Sequence, residues 1–133
     1  MPKKVKYAIG LPEEGSIYQQ EKPCAILYAL DVIGGKWKLP IIWYLAGSES
    51  VRFNELRRRV QGITNIMLTK CLREMESSGL VERRQFNEVP PHVEYRLTET
   101  GRRLLPALNE IYAWGEALLD RRMEKDAGPG NDR

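Results

Sequence analysis

The segment between residues 51 and 98 changes its hydrophobic period from helical to strand-like, and this change limits the folds open to the chain. Phe53, Leu56 and Val60 recur at the spacing of one helix face, and the residues between them are mostly charged. We therefore expect a short amphipathic helix that ends at a turn before Gly62.

A second helix follows this turn. Thr64 offers a hydroxyl that can cap the first turn, so the helix should begin at Asn65, and Gly79 should end it. Three apolar residues at helical spacing would face the core: Leu68, Leu72 and Met75. The opposite face carries side chains able to hydrogen-bond base edges or phosphate: Asn65, Thr69, Lys70 and Arg73.

Two segments of alternating polarity complete the motif, at residues 80–86 and 93–97. The loop at residues 87–91 includes Pro90 and Pro91, which should stiffen the tip of a hairpin. Helix, turn, helix and hairpin in this order predict a winged helix-turn-helix, with the hairpin as the wing. The predicted fold is thus mainly α with a small β-hairpin wing.

Two more helices are predicted before the motif, over residues 23–33 and 36–46, with a pair of glycines between them. Pro23 suits the first turn of the first of these helices. Trp37 belongs to a set of apolar residues at helical spacing on the second. We interpret Trp37 as a core anchor, because a large aromatic side chain gains most from burial.

A long helix is predicted after the wing, from Thr98 towards Met123, with an interruption or kink near Pro106. Its apolar stripe extends beyond what so small a winged domain could cover. We expect a second copy of the chain to cover it, with help from the first helix, so that both flanking helices dimerise. The residues assigned to this interface are Ile26, Leu27, Leu30, Leu108, Ile111, Trp114 and Leu118. The alternative is that the stripe folds back on its own domain.

Basic residues are concentrated in the predicted motif, although the net charge of the whole chain is only +3. Between residues 51 and 85 the basic side chains outnumber the acidic ones. A surface that faces phosphates needs such an excess. We predict phosphate contacts from Lys36, Arg52, Arg83 and Arg84. For the run Arg57, Arg58 and Arg59 the alternative is a solvated helix face.

Enzymatic chemistry is hard to build from this sequence. The single histidine, His92, lies in the predicted wing rather than beside a cysteine or paired carboxylates. Cys24, Cys71 and His92 lack the spacing of a zinc site. We therefore predict that the chain is not an enzyme, has no catalytic residues, and needs no metal or cofactor.

A winged helix that works as a protein–protein adaptor without DNA is the alternative from another class. Such an adaptor would present acids or large apolar groups on the exposed face of its second helix, whereas this face is polar and basic. Ile66 is the exception on that helix. It would either touch a thymine methyl group or pack near the wing.

The ends of the chain are expected to be loose. Residues 1–20 and 125–133 mix glycine, proline and charge without periodicity, which predicts flexible tails around one winged domain at residues 21–124. The apolar run near the N-terminus is shorter than that of a signal peptide, and no stretch reaches membrane-spanning length. We expect a cytoplasmic protein whose two cysteines are reduced thiols.

Seven short motifs stand in order along the chain: ALDVIGGKW at residues 29–37, RFNEL at 52–56, GIT at 62–64, MLT at 67–69, GLV at 79–81, VPPHVEY at 89–95 and LTETG at 97–101. Together they resemble the HxlR family of bacterial and archaeal transcriptional regulators, over residues 24–115. The resemblance implies a dimeric, sequence-specific DNA-binding regulator, most often a repressor. We expect such a dimer to bind inverted-repeat half-sites of double-stranded DNA. Two positions depart from the family: Pro23 precedes Cys24 instead of following it, and Leu27 stands where an acidic residue is common.

Cys24 is the candidate sensor thiol. It lies in the first turn of a predicted helix, where free amide groups and the helix dipole favour a thiolate, and Lys22 is two residues away. The resemblance points the same way, since some regulators of this family respond to quinones, aldehydes or disulfide stress through a cysteine at this position. The alternatives are a sensor at the half-buried Cys71, or a regulator that has structural cysteines and responds to a non-covalent ligand.

Overall fold

The structure of the protein, a computed structural model, describes residues 24–127. These residues form helices and strands in the order α1 (Ala25–Ile33), α2 (Lys38–Ala46), β1 (Val51–Arg52), α3 (Phe53–Arg59), α4 (Asn65–Ser77), β2 (Val81–Phe86), β3 (His92–Leu97), α5 (Glu99–Arg102) and α6 (Leu105–Asp126). The chain divides after Asp31 into two units, and the second unit, Val32–Arg133, contains every element from α2 onward. The first unit ends within α1.

The predicted hairpin is confirmed as β2 and β3, and it belongs to an antiparallel sheet with the strand order β1-β3-β2. β1 was not predicted. It consists of two residues that pair with β3, with Val51 opposite Tyr95 and Arg52 opposite Glu94. Two residues are too few to show an alternating pattern in the sequence, so only the folded chain reveals this strand.

The core of the second unit lies between α2, α3, α4 and the inner face of the sheet. The predicted apolar face of α4 is confirmed, because Leu68, Leu72 and Met75 are each at most 1% exposed. They pack in one cluster with buried residues of the other elements: Ile41, Ile42, Leu45, Val51, Leu56, Val60, Tyr95 and Leu97. Truncating one such side chain to alanine typically costs about 2–5 kcal/mol, so this cluster fixes how α4 is turned.

Both ends of α4 form as the sequence predicts. The Thr64 hydroxyl oxygen accepts a hydrogen bond from the Met67 amide at 3.1 Å, which satisfies one of the free donors of the first turn. At the other end Gly79 has a φ of 81°. That left-handed conformation suits glycine and directs the chain into β2.

The passage from the wing to α5 depends on Thr98 and Gly101. The Thr98 hydroxyl donates to the Gly79 carbonyl oxygen at 2.6 Å and accepts from the Gly101 amide at 3.1 Å. Gly101 is buried, and a Cβ atom there would overlap the Leu80 carbonyl oxygen. The start of α5 therefore packs directly on the backbone that follows α4.

Several boundaries differ from the predictions. α1 begins at Ala25 and α2 at Lys38, each two residues later than expected. The helix predicted after the wing is interrupted at residues 103–104, and Pro106 lies in the first turn of α6. α6 continues to Asp126, two residues into the predicted C-terminal tail. Pro23 and the predicted N-terminal tail lie outside the described residues.

Gly101→Ala should lower the free energy of unfolding by about 1–3 kcal/mol, because the added methyl group forces the start of α5 away from Leu80. Urea denaturation measures the change. Gly47→Ala is the matched control, since Gly47 has an ordinary φ of −80° and nothing lies within 4 Å of an added Cβ. Equal midpoints for Gly101→Ala and wild type would show that this packing is not tight.

Candidate nucleic-acid interface

The polar side of α4 faces away from the core. We call Asn65, Thr69, Lys70 and Arg73 the recognition face. Asn65, Lys70 and Arg73 are exposed and Thr69 is half-buried, while Cys71 on the other side is 6% exposed. The structure therefore brings all four predicted residues to one side of one helix. Their amide, hydroxyl, ammonium and guanidinium groups can each bond base edges or phosphates.

An ion pair that the sequence analysis missed ties α4 to α2. Lys38, whose side chain is only 12% exposed, donates to the Glu74 carboxylate at 3.0 Å and to the Val32 carbonyl oxygen at 3.2 Å. The hydrogen bond and charge of Lys38 lower the pKa of Glu74. Because the two residues are 36 positions apart, no local pattern could have revealed the pair.

Arg83 and Arg84, both predicted to contact phosphate, are both exposed. They lie on opposite faces of β2, as neighbours on a strand must. The Arg83 guanidinium donates to the Gln85 side-chain oxygen at 3.3 Å, and the Arg84 guanidinium lies 5.7 Å from the centre of the Phe86 ring. β2 has Val81 as its one buried residue, so both of its faces are open beyond that point.

Glu94 organises the outer face of the sheet and was also missed. Its carboxylate accepts from the Ser50 hydroxyl at 2.7 Å, lies 3.0 Å from His92 Nε2, and lies 4.0 Å from Arg52 Nε. The Ser50 hydrogen bond, followed by His92 and Arg52, lowers the pKa of Glu94. Because Glu94 follows His92 by two residues, the two side chains share one face of the strand, and the sequence could have indicated their contact.

The other predicted phosphate contacts are exposed as well. The Lys36 ammonium lies 4.7 Å from the centre of the Trp37 ring. Trp37 packs against the core as predicted, but it is half-buried rather than a buried member of the core. The Arg52 side chain is 60% exposed, so its guanidinium can reach solvent despite the nearby Glu94 carboxylate.

The three consecutive arginines of α3 differ in their contacts. Glu55 binds both Arg58 and Arg59, the latter at 3.0 Å, and these two arginines, Arg59 first, lower the pKa of Glu55. Arg58 and Arg59 therefore fit the alternative of a solvated helix face with internal ion pairs. Arg57 is exposed.

The two cysteines have different surroundings. Cys24 is exposed immediately before α1, and its carbonyl oxygen accepts from the Tyr28 amide. Hydrogen bonds from the backbone amides of Leu27 and Ile26 lower the pKa of the Cys24 thiol. Burial instead raises the pKa of the Cys71 thiol, with the Glu74 charge as a second cause. Cys71 is thus the buried cysteine of the two, at 6% exposure, rather than a half-buried one.

Six of the seven residues assigned to a dimer interface are exposed. In α6 these are Ile111, Trp114 and Leu118, at 50%, 68% and 39% exposure. In α1 they are Ile26, Leu27 and Leu30. Leu108 was wrongly assigned to the interface, because it is 4% exposed and belongs to the core of its own unit. It is the position at which α6 anchors to that core.

Within residues 24–127 no histidine, cysteine and carboxylate side chains gather into a group that could hold a metal ion. Within the same residues, no helix combines the length and the apolar character needed to cross a bilayer.

Comparison with known proteins gives the family. The sequence-family model described as the HxlR-like helix-turn-helix matches residues 32–123. The chain belongs to the HxlR family. The HTH-type transcriptional regulator YybR of Bacillus subtilis (strain 168) is 44% identical over 110 residues, which cover 83% of this chain and 87% of YybR.

Solved structures of similar chains show the same winged helix-turn-helix fold. The redox regulator HypR in its oxidized form is 47% identical, with a TM-score of 0.67, and the match covers 71% of this chain and 96% of HypR. The reduced form of the transcriptional regulator YodB from B. subtilis is 32% identical, with a TM-score of 0.62 and coverage of 71% and 92%. This HxlR-family chain is thus an HTH-type transcriptional regulator, a class that binds DNA, and not an enzyme.

Glu94→Gln should weaken the acid sensitivity of folding. Because the pKa of Glu94 is lowered in the folded state, its contribution is present above the ordinary glutamate value of about 4.3 and is lost as the pH falls below it. The variant should be less stable than wild type at pH 7, and the gap should close on acidification. Urea midpoints from pH 7 to 3 test this, with the exposed wing-tip Glu88→Gln as control. A difference in urea midpoint that stays constant at all pH values would contradict a lowered pKa of Glu94 in the folded state.

Proposed function

We propose that the protein is a homodimeric repressor that reads two half-sites of an inverted repeat with the recognition face of α4. The observation that carries the proposal is the orientation of α4. Leu68, Leu72 and Met75 are buried, and this turns the recognition face outward. A helix of this kind fits the major groove, where base edges present distinct donor and acceptor patterns.

The remaining predicted contacts would hold the DNA backbone. Arg83 and Arg84 extend from opposite faces of β2, and Arg52 is exposed in β1, which pairs with β3. Lys36 is exposed in the segment between α1 and α2. Contacts of this type fix the position of a protein on the duplex and make binding salt-dependent, without selecting a sequence.

A second copy of the chain would cover the exposed apolar side chains of α6. Ile111, Trp114 and Leu118 lie at helical spacing beyond Leu108, the residue that anchors α6 to the core. A two-fold interface would bury this stripe against its own copy, and the exposed apolar residues of α1 would add to the buried area. Two-fold symmetry in the protein implies an inverted repeat in the DNA.

Selection of bound duplexes from a random pool tests the proposal directly. An inverted repeat with half-sites about one helical turn apart, centre to centre, is the expected result. Recovery of an unbiased pool would instead favour the adaptor alternative, in which the winged domain binds protein. A single, unrepeated site would remove the dimer from the proposal.

Arg73→Ala should weaken binding to the selected operator by about 1–3 kcal/mol while leaving the fold intact, because an exposed base-reading arginine is lost. Titration of labelled operator and of random duplex at one salt concentration separates lost specificity from lost affinity. Arg57→Ala on α3 is the matched control, an exposed arginine outside the recognition face. If both variants lost the same affinity for the operator, Arg73 would not be a base-reading residue.

We further propose that Cys24 lets the regulator respond to electrophiles or oxidants. Its thiol is exposed, and the amides of Leu27 and Ile26 favour the thiolate, the form that attacks electrophiles. Two structures similar to this chain are those of a redox regulator, HypR, in oxidized form and of YodB in reduced form. A non-covalent ligand is the alternative effector.

Diamide or a quinone should change operator affinity in the wild type and in Cys71→Ser, but not in Cys24→Ser. Cys71 serves as the internal control because burial raises the pKa of its thiol. Binding curves before and after treatment provide the measurement. A response that persists in Cys24→Ser would move the sensor to Cys71 or to a bound ligand.

A further inference from the structure

Ile66 is an exposed apolar residue in the first turn of α4. Its exposure of 82% contrasts with that of Leu68, Leu72 and Met75, which are buried on the same helix. Because Ile66 is so exposed, it does not pack against the wing, which was one of the two roles considered for it. Single exposed apolar residues are common on protein surfaces, so the position of Ile66 has to carry the argument.

Ile66 lies in the middle of the polar side of α4. Lys70 follows it by one turn and Arg73 by seven residues, which at 3.6 residues per turn places Arg73 within roughly 20° of Ile66 around the helix axis. An open depression of about 530 Å³ runs along this side. Its lining consists of Asn65, Ile66, Thr69, Lys70, Arg73 and Glu74.

The physical properties of isoleucine suit a fixed apolar contact. Its β-branched side chain has one strongly preferred χ1 rotamer in a helix, so little side-chain entropy is lost when it is held in an interface. It also lies near the N-terminus of the helix, where residues of a helix-turn-helix reach base edges. In the major groove the apolar group that a base edge presents is the C5-methyl group of thymine.

We propose that Ile66 is a specificity-determining residue that contacts the C5-methyl group of a thymine in each half-site. This inference rests on the proposed DNA-reading function of α4. Lys70 and Arg73, which flank Ile66 on the exposed side, carry positive charge. They favour a nucleic acid over an apolar protein groove as the surface that covers Ile66.

The test replaces thymine by deoxyuridine, which removes the methyl group and keeps the base pairing. Each thymine of the selected operator is exchanged in turn, in both half-sites together, and affinity is measured for wild type and for Ile66→Ala. At one thymine position the wild type should lose about fourfold per half-site, the value of one buried methyl group. Ile66→Ala, which is exposed and should fold normally, should bind thymine and deoxyuridine operators equally well there.

Lys70→Ala is the matched control on the same side of α4. It should bind both operators more weakly than wild type, but it should keep the full difference between thymine and deoxyuridine. A gain from 5-methylcytosine over cytosine at that position, in wild type and not in Ile66→Ala, would support the methyl contact independently of the base pair.

Three results would overturn the inference while leaving the proposed function intact. They are a selected operator without thymine, a deoxyuridine scan without effect on wild type, and a deoxyuridine effect that persists in Ile66→Ala. Failure of the proposed function would look different, because wild type would then select no sequence from the random pool at all.

Discussion

The burial of one face of α4 is the constraint on which the rest of this structure depends. Leu68, Leu72 and Met75 are in the core, and each would cost about 2–5 kcal/mol to truncate. A domain of this size has a net stability of about 5–15 kcal/mol, so the chain cannot rotate α4 and remain folded. Exposed ion pairs contribute only about 0–1 kcal/mol each and could not impose this orientation. Apolar packing therefore decides which polar side chains of α4 face the solvent.

The core determines which side chains are exposed, and ion pairs then determine how the charged side chains are arranged on that surface. Glu55 holds Arg58 and Arg59, and Glu94 lies near Arg52, so several arginines of the motif are already matched by carboxylates. The arginine side chains of these pairs are 36–64% exposed, so each pair contributes only about 0–1 kcal/mol. Lys38 differs, since its ammonium is largely buried between Val32 and Glu74, where it joins α4 to α2. Lys38 therefore affects the recognition face indirectly, by holding α4 in position against α2.

Local signals in the sequence predicted the motif well, and long-range contacts account for most of what they missed. The cap at Thr64, the end of α4 at Gly79 and the hairpin strands depend on residues close in sequence, so each was confirmed. The two-residue β1, the Lys38–Glu74 pair and the Ser50–Glu94 hydrogen bond each join distant segments, and no periodicity marks them. Leu108 was misassigned because a helical stripe does not show where the core ends and a partner begins.

Symmetry would let weak contacts produce specificity in a regulator of this size. α6 has 22 residues, a length of about 33 Å, and beyond Leu108 its apolar side chains lie largely in solvent. If a second copy covers them, the two recognition faces are linked. Binding of one recognition face to its half-site then raises the effective concentration of the second recognition face near the second half-site. Every contact is then made twice. A fourfold preference at one half-site becomes about sixteenfold for the dimer, or about 1.6 kcal/mol, and a bidentate base contact worth about 1–3 kcal/mol is doubled in the same way. Ile66 would then add a measurable preference for thymine to the larger contribution of a base-reading arginine.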